Sequence, residues 1–228
     1  MKKDSQKALK NPAKRAFTLA EVLITLVIIG VIAALTVPTL IQNTQKQEYV
    51  TGLKKAYSTL SNAANMAIAE NGSPKCSDGG WACTSAEIYE KFKKHMNTAR
   101  ACGESGCMEQ VYNCLNGRVM GTWNEHRPLN KLVSADGMQI AFTDWGLAGA
   151  DYQSCTSSYP GGSSNICARI MADVNGAKKP NILGRDLFEF DLTENGIIPA
   201  GCASSGSCAG TEGWSCACKV LTEGAMNY

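Results

Sequence analysis

Residues 17–41 read FTLAEVLITLVIIGVIAALTVPTLI, a run of 25 residues whose one charge is Glu21. As a helix this run is ~37 Å long, enough to cross a ~30 Å hydrocarbon core. Lys14 and Arg15 stand just before it. The first 16 residues carry six basic side chains against Asp4, a net of +5, while the whole chain carries +2, so the rest carries −3. The basic flank predicts a single pass through the inner membrane, with the N-terminus cytoplasmic and the body periplasmic or extracellular. An acidic body argues against nucleic acid as a partner. A cleaved secretory signal has a shorter apolar region and a small-residue cut site after it, and none follows Leu40. A plain signal anchor fits length and charge but leaves an intramembrane carboxylate unexplained.

Ala16-Phe17-Thr18-Leu19-Ala20-Glu21, followed by the apolar run, resembles the processing motif of type IV pilins and type II secretion pseudopilins. The resemblance implies that a prepilin peptidase cuts between Ala16 and Phe17 and N-methylates Phe17. It implies that the apolar helix is kept for assembly with other pilin or pseudopilin subunits. Glu21, fifth in the mature chain, then offsets a neighbouring subunit's terminal amine. The family usually has Gly before the cut, where this chain has Ala16. Pro38 lies at a depth where pilin helices often hold a proline, which can kink a helix.

Past Pro38 the apolar run ends while helical spacing continues. Tyr49, Leu53, Tyr57, Leu60, Ala64 and Ile68 recur every three or four residues, and Glu48, Lys54, Lys55, Ser61 and Asn62 fill other faces. Asn71-Gly72-Ser73-Pro74 predicts the stop. The expected organisation is a basic leader 1–16, a transmembrane or filament-core helix 17–41, an amphipathic continuation 42–72, and an exported Cys-rich globular domain 73–228.

All eleven cysteines fall between Cys76 and Cys218, and no two have CxxC spacing. Outside the cytoplasm such a set predicts disulfides rather than a zinc ribbon or a redox motif. The local candidates are Cys76 with Cys83 and Cys155 with Cys167, each pair flanking turn-forming residues. Strand patterns come late. Residues 131–133 and 138–143 read as a hairpin around Ala135-Asp136-Gly137, and 166–173 as a strand. Residues 186–192 and 197–198 read as a second hairpin around Glu194-Asn195-Gly196, and 216–222 as a last short strand. Alternation predicts Phe188 and Phe190 on the face met by Leu53, Tyr57 and Leu60. Residues 85–96 read as helical. The predicted fold class is α+β: a long N-terminal helix packed on an antiparallel sheet, with Cys-rich loops. Residues 172–176 and 184–188 also resemble segments of pseudopilin-like proteins.

Asp173-x-Asn175-Gly176 has the start of a calcium loop. In an EF-hand register, however, Ala177 and Gly184 fall where carboxylates are needed, and Lys178 and Lys179 add positive charge. The expectation is no cofactor, with a non-EF calcium site on Asp173, Asp186 or Asp191 as the alternative. His95 and His126 read as solvated, and Lys91, Lys93 and Lys94 as a wet helix face. No nucleophile, phosphate-loop or zincin motif occurs, so no catalytic residue is assigned and no enzyme is expected. The function these features imply is a structural filament subunit. The alternative is a minor pilin acting in adhesion, binding or DNA uptake.

Overall fold

The computed structural model describes residues 17–76, 79–122, 129–143, 166–202, 208 and 212–228. It divides into two units, residues 1–44 and 45–228. One helix contributes to both: α1 spans Leu19–Asn71 and stays helical across Pro38.

In the first unit α1 buries nothing. Leu19, Leu26, Val27, Ile29, Leu35 and Leu40 are each more than 60% exposed, and the other large apolar side chains are between 44% and 60% exposed. A helix that is apolar around most of its girth and lacks a protein core has lipid or another helix as its natural surroundings. The segment is long and apolar enough to cross a membrane.

In the second unit α1 has a conventional amphipathic face. Tyr49, Val50, Leu53, Ala56, Leu60, Ala63, Ala64 and Ala67 are buried. The alanines allow close approach to the sheet. Gly52 comes closest, since a Cβ there would sit 2.9 Å from the Val174 side chain. The helix ends where Gly72 takes a left-handed φ of 79°, and its N–H donates to the Ile68 carbonyl.

The sheet is antiparallel and six-stranded: β1 (Thr98–Gly103), β4 (Asn130–Ser134), β5 (Gln139–Thr143), β6 (Ile166–Asp173), β7 (Leu187–Thr193) and β8 (Gly196–Pro199), in that spatial order. A separate pair joins β2 (Tyr112–Asn113) to β3 (Val119–Gly121). The β4–β5 and β7–β8 hairpins fall on the two predicted turns. Phe188, Phe190 and Leu192 line the α1 side of the sheet, where the Phe190 ring stacks on Tyr57 at 6.3 Å. Helix α2 (Ser85–His95) is capped by Thr84, whose hydroxyl accepts from the Glu87 N–H. It places Phe92 against Phe142 at 5.2 Å.

Residues 216–222, read above as a strand, instead form helix α3 (Cys216–Glu223). The buried residues Cys216, Ala217 and Val220 have helical spacing, and Gly224 closes the turn with a φ of 65°. Strand β1 was not anticipated. Its TARACG sequence has no apolar alternation because it is an exposed edge with two register shifts.

Candidate functional site

Thr18 and Glu21 form the start of α1. The Glu21 N–H donates to Thr18 Oγ1 at 3.2 Å, while Thr18 N–H and Oγ1–H both donate to Glu21 Oε2 at 2.9 Å. This reciprocal capping box satisfies backbone donors that the first turn cannot satisfy itself. A carboxylate in the first turn also interacts favourably with the helix dipole. Sequence reasoning left Glu21 without a partner inside its own chain, although the T-x-x-E spacing of Thr18-Leu19-Ala20-Glu21 was the available signal. Phe17 precedes the cap, 86% exposed and outside the helix. Ala16 lies outside the described residues.

The hydroxyls farther along α1 bond to their own helix. Thr25 Oγ1 donates to the Val22 carbonyl at 2.9 Å, Thr36 to Ile32 at 2.9 Å and Thr39 to Leu35 at 3.4 Å. Such back-bonding lets a hydroxyl sit in an apolar medium without an orphaned proton.

In the body, Cys76 is disulfide-bonded to Cys83, Cys102 to Cys107, Cys202 to Cys218 and Cys208 to Cys216. Cys167 is also disulfide-bonded, and Cys155 lies outside the described residues. Cys114 is a free, buried thiol whose pKa is pushed up by burial.

The carboxylates considered for a cation are taken up by protein groups. Asp173 accepts from the Tyr112 hydroxyl at 2.7 Å and from Gln110 Nε2 at 3.2 Å. Burial pushes its carboxyl up to about 8, with the neighbouring Asp186 adding to the rise. Asp186 accepts from the backbone N–H groups of Asn181 at 2.7 Å and Ile182 at 2.6 Å. Burial raises its pKa as well. Asp191 and Glu189 flank Arg169, with N···O distances of 3.7 and 2.9 Å. Among the described residues no group of three His, Cys, Asp or Glu side chains is placed to hold a metal ion.

His95 departs from its reading as solvated. Its side chain is only 4% exposed, with Nε2 3.4 Å from Glu70 Oε2. The cause is the packing of the end of α2 beside the end of α1, where Lys94 also pairs with Glu70 and Lys91 with Asn71. Lys93 pairs with Glu90 at 2.7 Å along α2. His126 lies outside the described residues.

Comparison with curated proteins and with solved structures gives no match. Residues 11–37 match the family model of the prokaryotic N-terminal methylation motif. The stretch that holds the basic flank, the Thr18–Glu21 cap and the exposed apolar helix therefore carries the signature of type IV pilins and pseudopilins.

Proposed function

We propose that this chain is a structural subunit of a type IV pilus or type II secretion pseudopilus. In this reading a prepilin peptidase cuts between Ala16 and Phe17 and methylates the new amine, with the N-terminus cytoplasmic and the body periplasmic or extracellular. The processed helix then carries the subunit from the inner membrane into the filament. The observation that carries the reading is the coincidence of the methylation motif with an apolar helix that finds no core in its own chain.

The chemistry is association, not turnover. Removing the leader leaves a positive amine at Phe17, next to the positive end of the helix dipole, where it is unfavourable by itself. Glu21 is the nearest compensating charge. Both cap hydrogen bonds from Thr18 end on Oε2, so Oε1 is open to a cation. An ion pair in a low-dielectric surrounding gains more than in water, although each ion costs several kcal/mol to desolvate. The pair therefore acts chiefly on register and recruitment. The test is intact-mass analysis of protein purified from a peptidase-positive host. The expected mass begins at N-methyl-Phe17, and retention of residues 1–16 refutes the proposal.

A further inference from the structure

Residues 17–228 carry a net charge of −3, yet the end of the body where α1 enters it is basic. The packing of α1 locates that end. Tyr57 stacks on Phe190, which pairs with Ile170 of β6. Nearer the N-terminus, Gly52 meets Val174, just past the end of β6. One turn nearer still, Tyr49 interacts with Asn175, Arg185 and Asp186. Moving toward residue 45 therefore leaves β6 and β7 and reaches their connection, residues 174–186. The C-terminal segment comes to the same place. Lys46 Nζ donates to the Met226 carbonyl at 3.4 Å, and the Tyr228 hydroxyl donates to the Gly184 carbonyl.

Lys46, Lys178, Lys179 and Arg185 gather at this end, with Lys178 and Lys179 exposed. Among the described residues none of the four forms an ion pair. The neighbouring acids are committed elsewhere. Asp136 pairs with Lys55 at 2.7 Å and Glu223 with Lys219 at 3.9 Å. Asp186 turns inward onto the N–H groups of Asn181 and Ile182, and Asp173 is buried against the Tyr112 hydroxyl. Glu48 is the exposed acid beside the four cations. A fixed loop presents the two lysines. Asn175 Nδ2 donates to the Lys179 carbonyl at 3.1 Å, and a Cβ on Gly176 would lie 2.6 Å from the Gly137 carbonyl oxygen in the β4–β5 turn.

We infer that this end of the body docks on the anionic headgroups of the membrane that holds α1. The inference rests on the membrane anchor in the reading above and goes beyond it by giving the body a lipid contact of its own. Lys46 follows the apolar run, which ends at Ile41, by ~8 Å along a helix and by at most ~18 Å along an extended chain. The anchor thus keeps this end of the body close to one headgroup layer whatever angle the body takes. Tethering of this kind makes even weak contacts effective. Charge complementarity identifies the occupant. Without the four cations, residues 17–228 carry −7, so an anionic surface repels the rest of the body and attracts this end. Each Lys or Arg at such a surface raises the ratio of docked to undocked body about fivefold.

The test reconstitutes the full-length chain into vesicles of phosphatidylcholine alone and of an equal mixture with phosphatidylglycerol, both doped with a lipid carrying a nitroxide on its headgroup. A fluorescent amino acid replaces Ala177, beside the two lysines, or Asn195, in the turn at the opposite end of the body, where Gly196 lies against Asn65. Quenching at the Ala177 position should be several-fold stronger in the anionic vesicles. It should fall to the phosphatidylcholine level in ~1 M salt, where the screening length is ~3 Å. The Asn195 position should not distinguish the two vesicles. Lys178→Gln with Lys179→Gln should lower the docked-to-undocked ratio about 25-fold, two fivefold steps, while Lys178→Arg with Lys179→Arg should preserve it. Equal quenching at Ala177 in the two vesicles, an equal rise at Asn195, or a double glutamine variant that quenches like the parent overturns the docking face. Flotation of the vesicles reports the anchor separately. A chain that floats with both vesicles yet quenches equally keeps the anchor and loses the docking face, and a chain that floats with neither loses both.

Discussion

Residues 19–44 and 45–71 are consecutive parts of one helix, yet they solve opposite problems. The second part buries Leu53, Ala56, Leu60, Ala63, Ala64 and Ala67 completely against the sheet. The first part buries none of its large apolar residues. Helix propensity does not separate the two, since both contain many good helix formers. The difference is where the apolar surface goes. In the body it goes inward, so stability is a property of one chain. In the N-terminal part it has no internal destination, so its energy is released only in lipid or against another chain. A helix can therefore be equally regular in two segments while only one of them contributes to folding of the monomer.

Three measurements sharpen or break that contrast, each made on the full chain in detergent and on residues 45–228 alone. The largest effect is expected from Phe190→Ala, which removes a fully buried ring stacked on Tyr57. Unfolding in denaturant should show a loss of ~3–5 kcal/mol in both proteins. Leu23→Ala, at a position 54% exposed, should change the unfolding of the body by less than ~0.5 kcal/mol. A large effect of Leu23→Ala would join the two parts energetically. Next is the Cys202–Cys218 crosslink, which closes a 16-residue separation. Replacing both cysteines by serine should cost ~3 kcal/mol by the loop-closure relation, again with or without residues 1–44. A cost below ~1 kcal/mol would count against that disulfide as a staple of the body.

The smallest effect, taken per pH unit, is a slope. The Asp173 carboxyl ionises near the ordinary aspartate value of 3.8 in the unfolded chain and at about 8 in the folded one, where burial disfavours its charge. Between those values the folded protein binds the extra proton. Its contribution to stability is full at low pH and declines as pH rises through that window, by at most ~1.4 kcal/mol per pH unit for one proton. Asp173→Asn should flatten the decline, because the amide oxygen still accepts from Tyr112 and carries no charge to desolvate. An unchanged slope in Asp173→Asn would move the titration elsewhere, and a slope that differs between the two proteins would tie residues 1–44 to the body.

Much of the fold was legible because its patterns are local. The 25-residue apolar run, the three- and four-residue spacing from Tyr49 to Ile68, and the turns at Asp136-Gly137 and Asn195-Gly196 each state their structure within a few residues. The side of β7 facing α1 followed from the alternation of Phe188, Phe190 and Leu192. The opposite side did not. Glu189 and Asp191 have the pattern of a wet face but are 3% and 1% exposed, gathered around Arg169. A second core of Met108, Tyr112, Leu129, Leu183 and Leu187 covers part of that face, and its members come from distant segments. Burial imposed by distant segments leaves no period in the sequence. α3 was misread for a related reason: Val220 and Leu221 favour strands or helices according to what they pack on, and disulfides at Cys216 and Cys218 fix that setting. At the N-terminal site the T-x-x-E spacing of Thr18 and Glu21 is present in the letters, but the same carboxylate at the head of an apolar run also has the form of an intramembrane charge, so the letters alone do not single out the cap.

The Thr18–Glu21 cap also bears on how an enzyme meets this chain. Proteolytic sites bind substrate backbone in extended form, and a peptide bond inside a helix must be unwound before it can be cut. Here helical structure begins at Leu19, and Phe17 lies outside the helix, so the bond preceding Phe17 is two residues short of the first helical one. The cap holds that boundary with groups that all lie on the Phe17 side of the bond. At the cut proposed above, no turn of α1 lies between the bond and Leu19, and the cap would keep its hydrogen bonds, since Thr18 and Glu21 both lie past that bond. On the Phe17 side, then, such a cut would ask for no unwinding of α1.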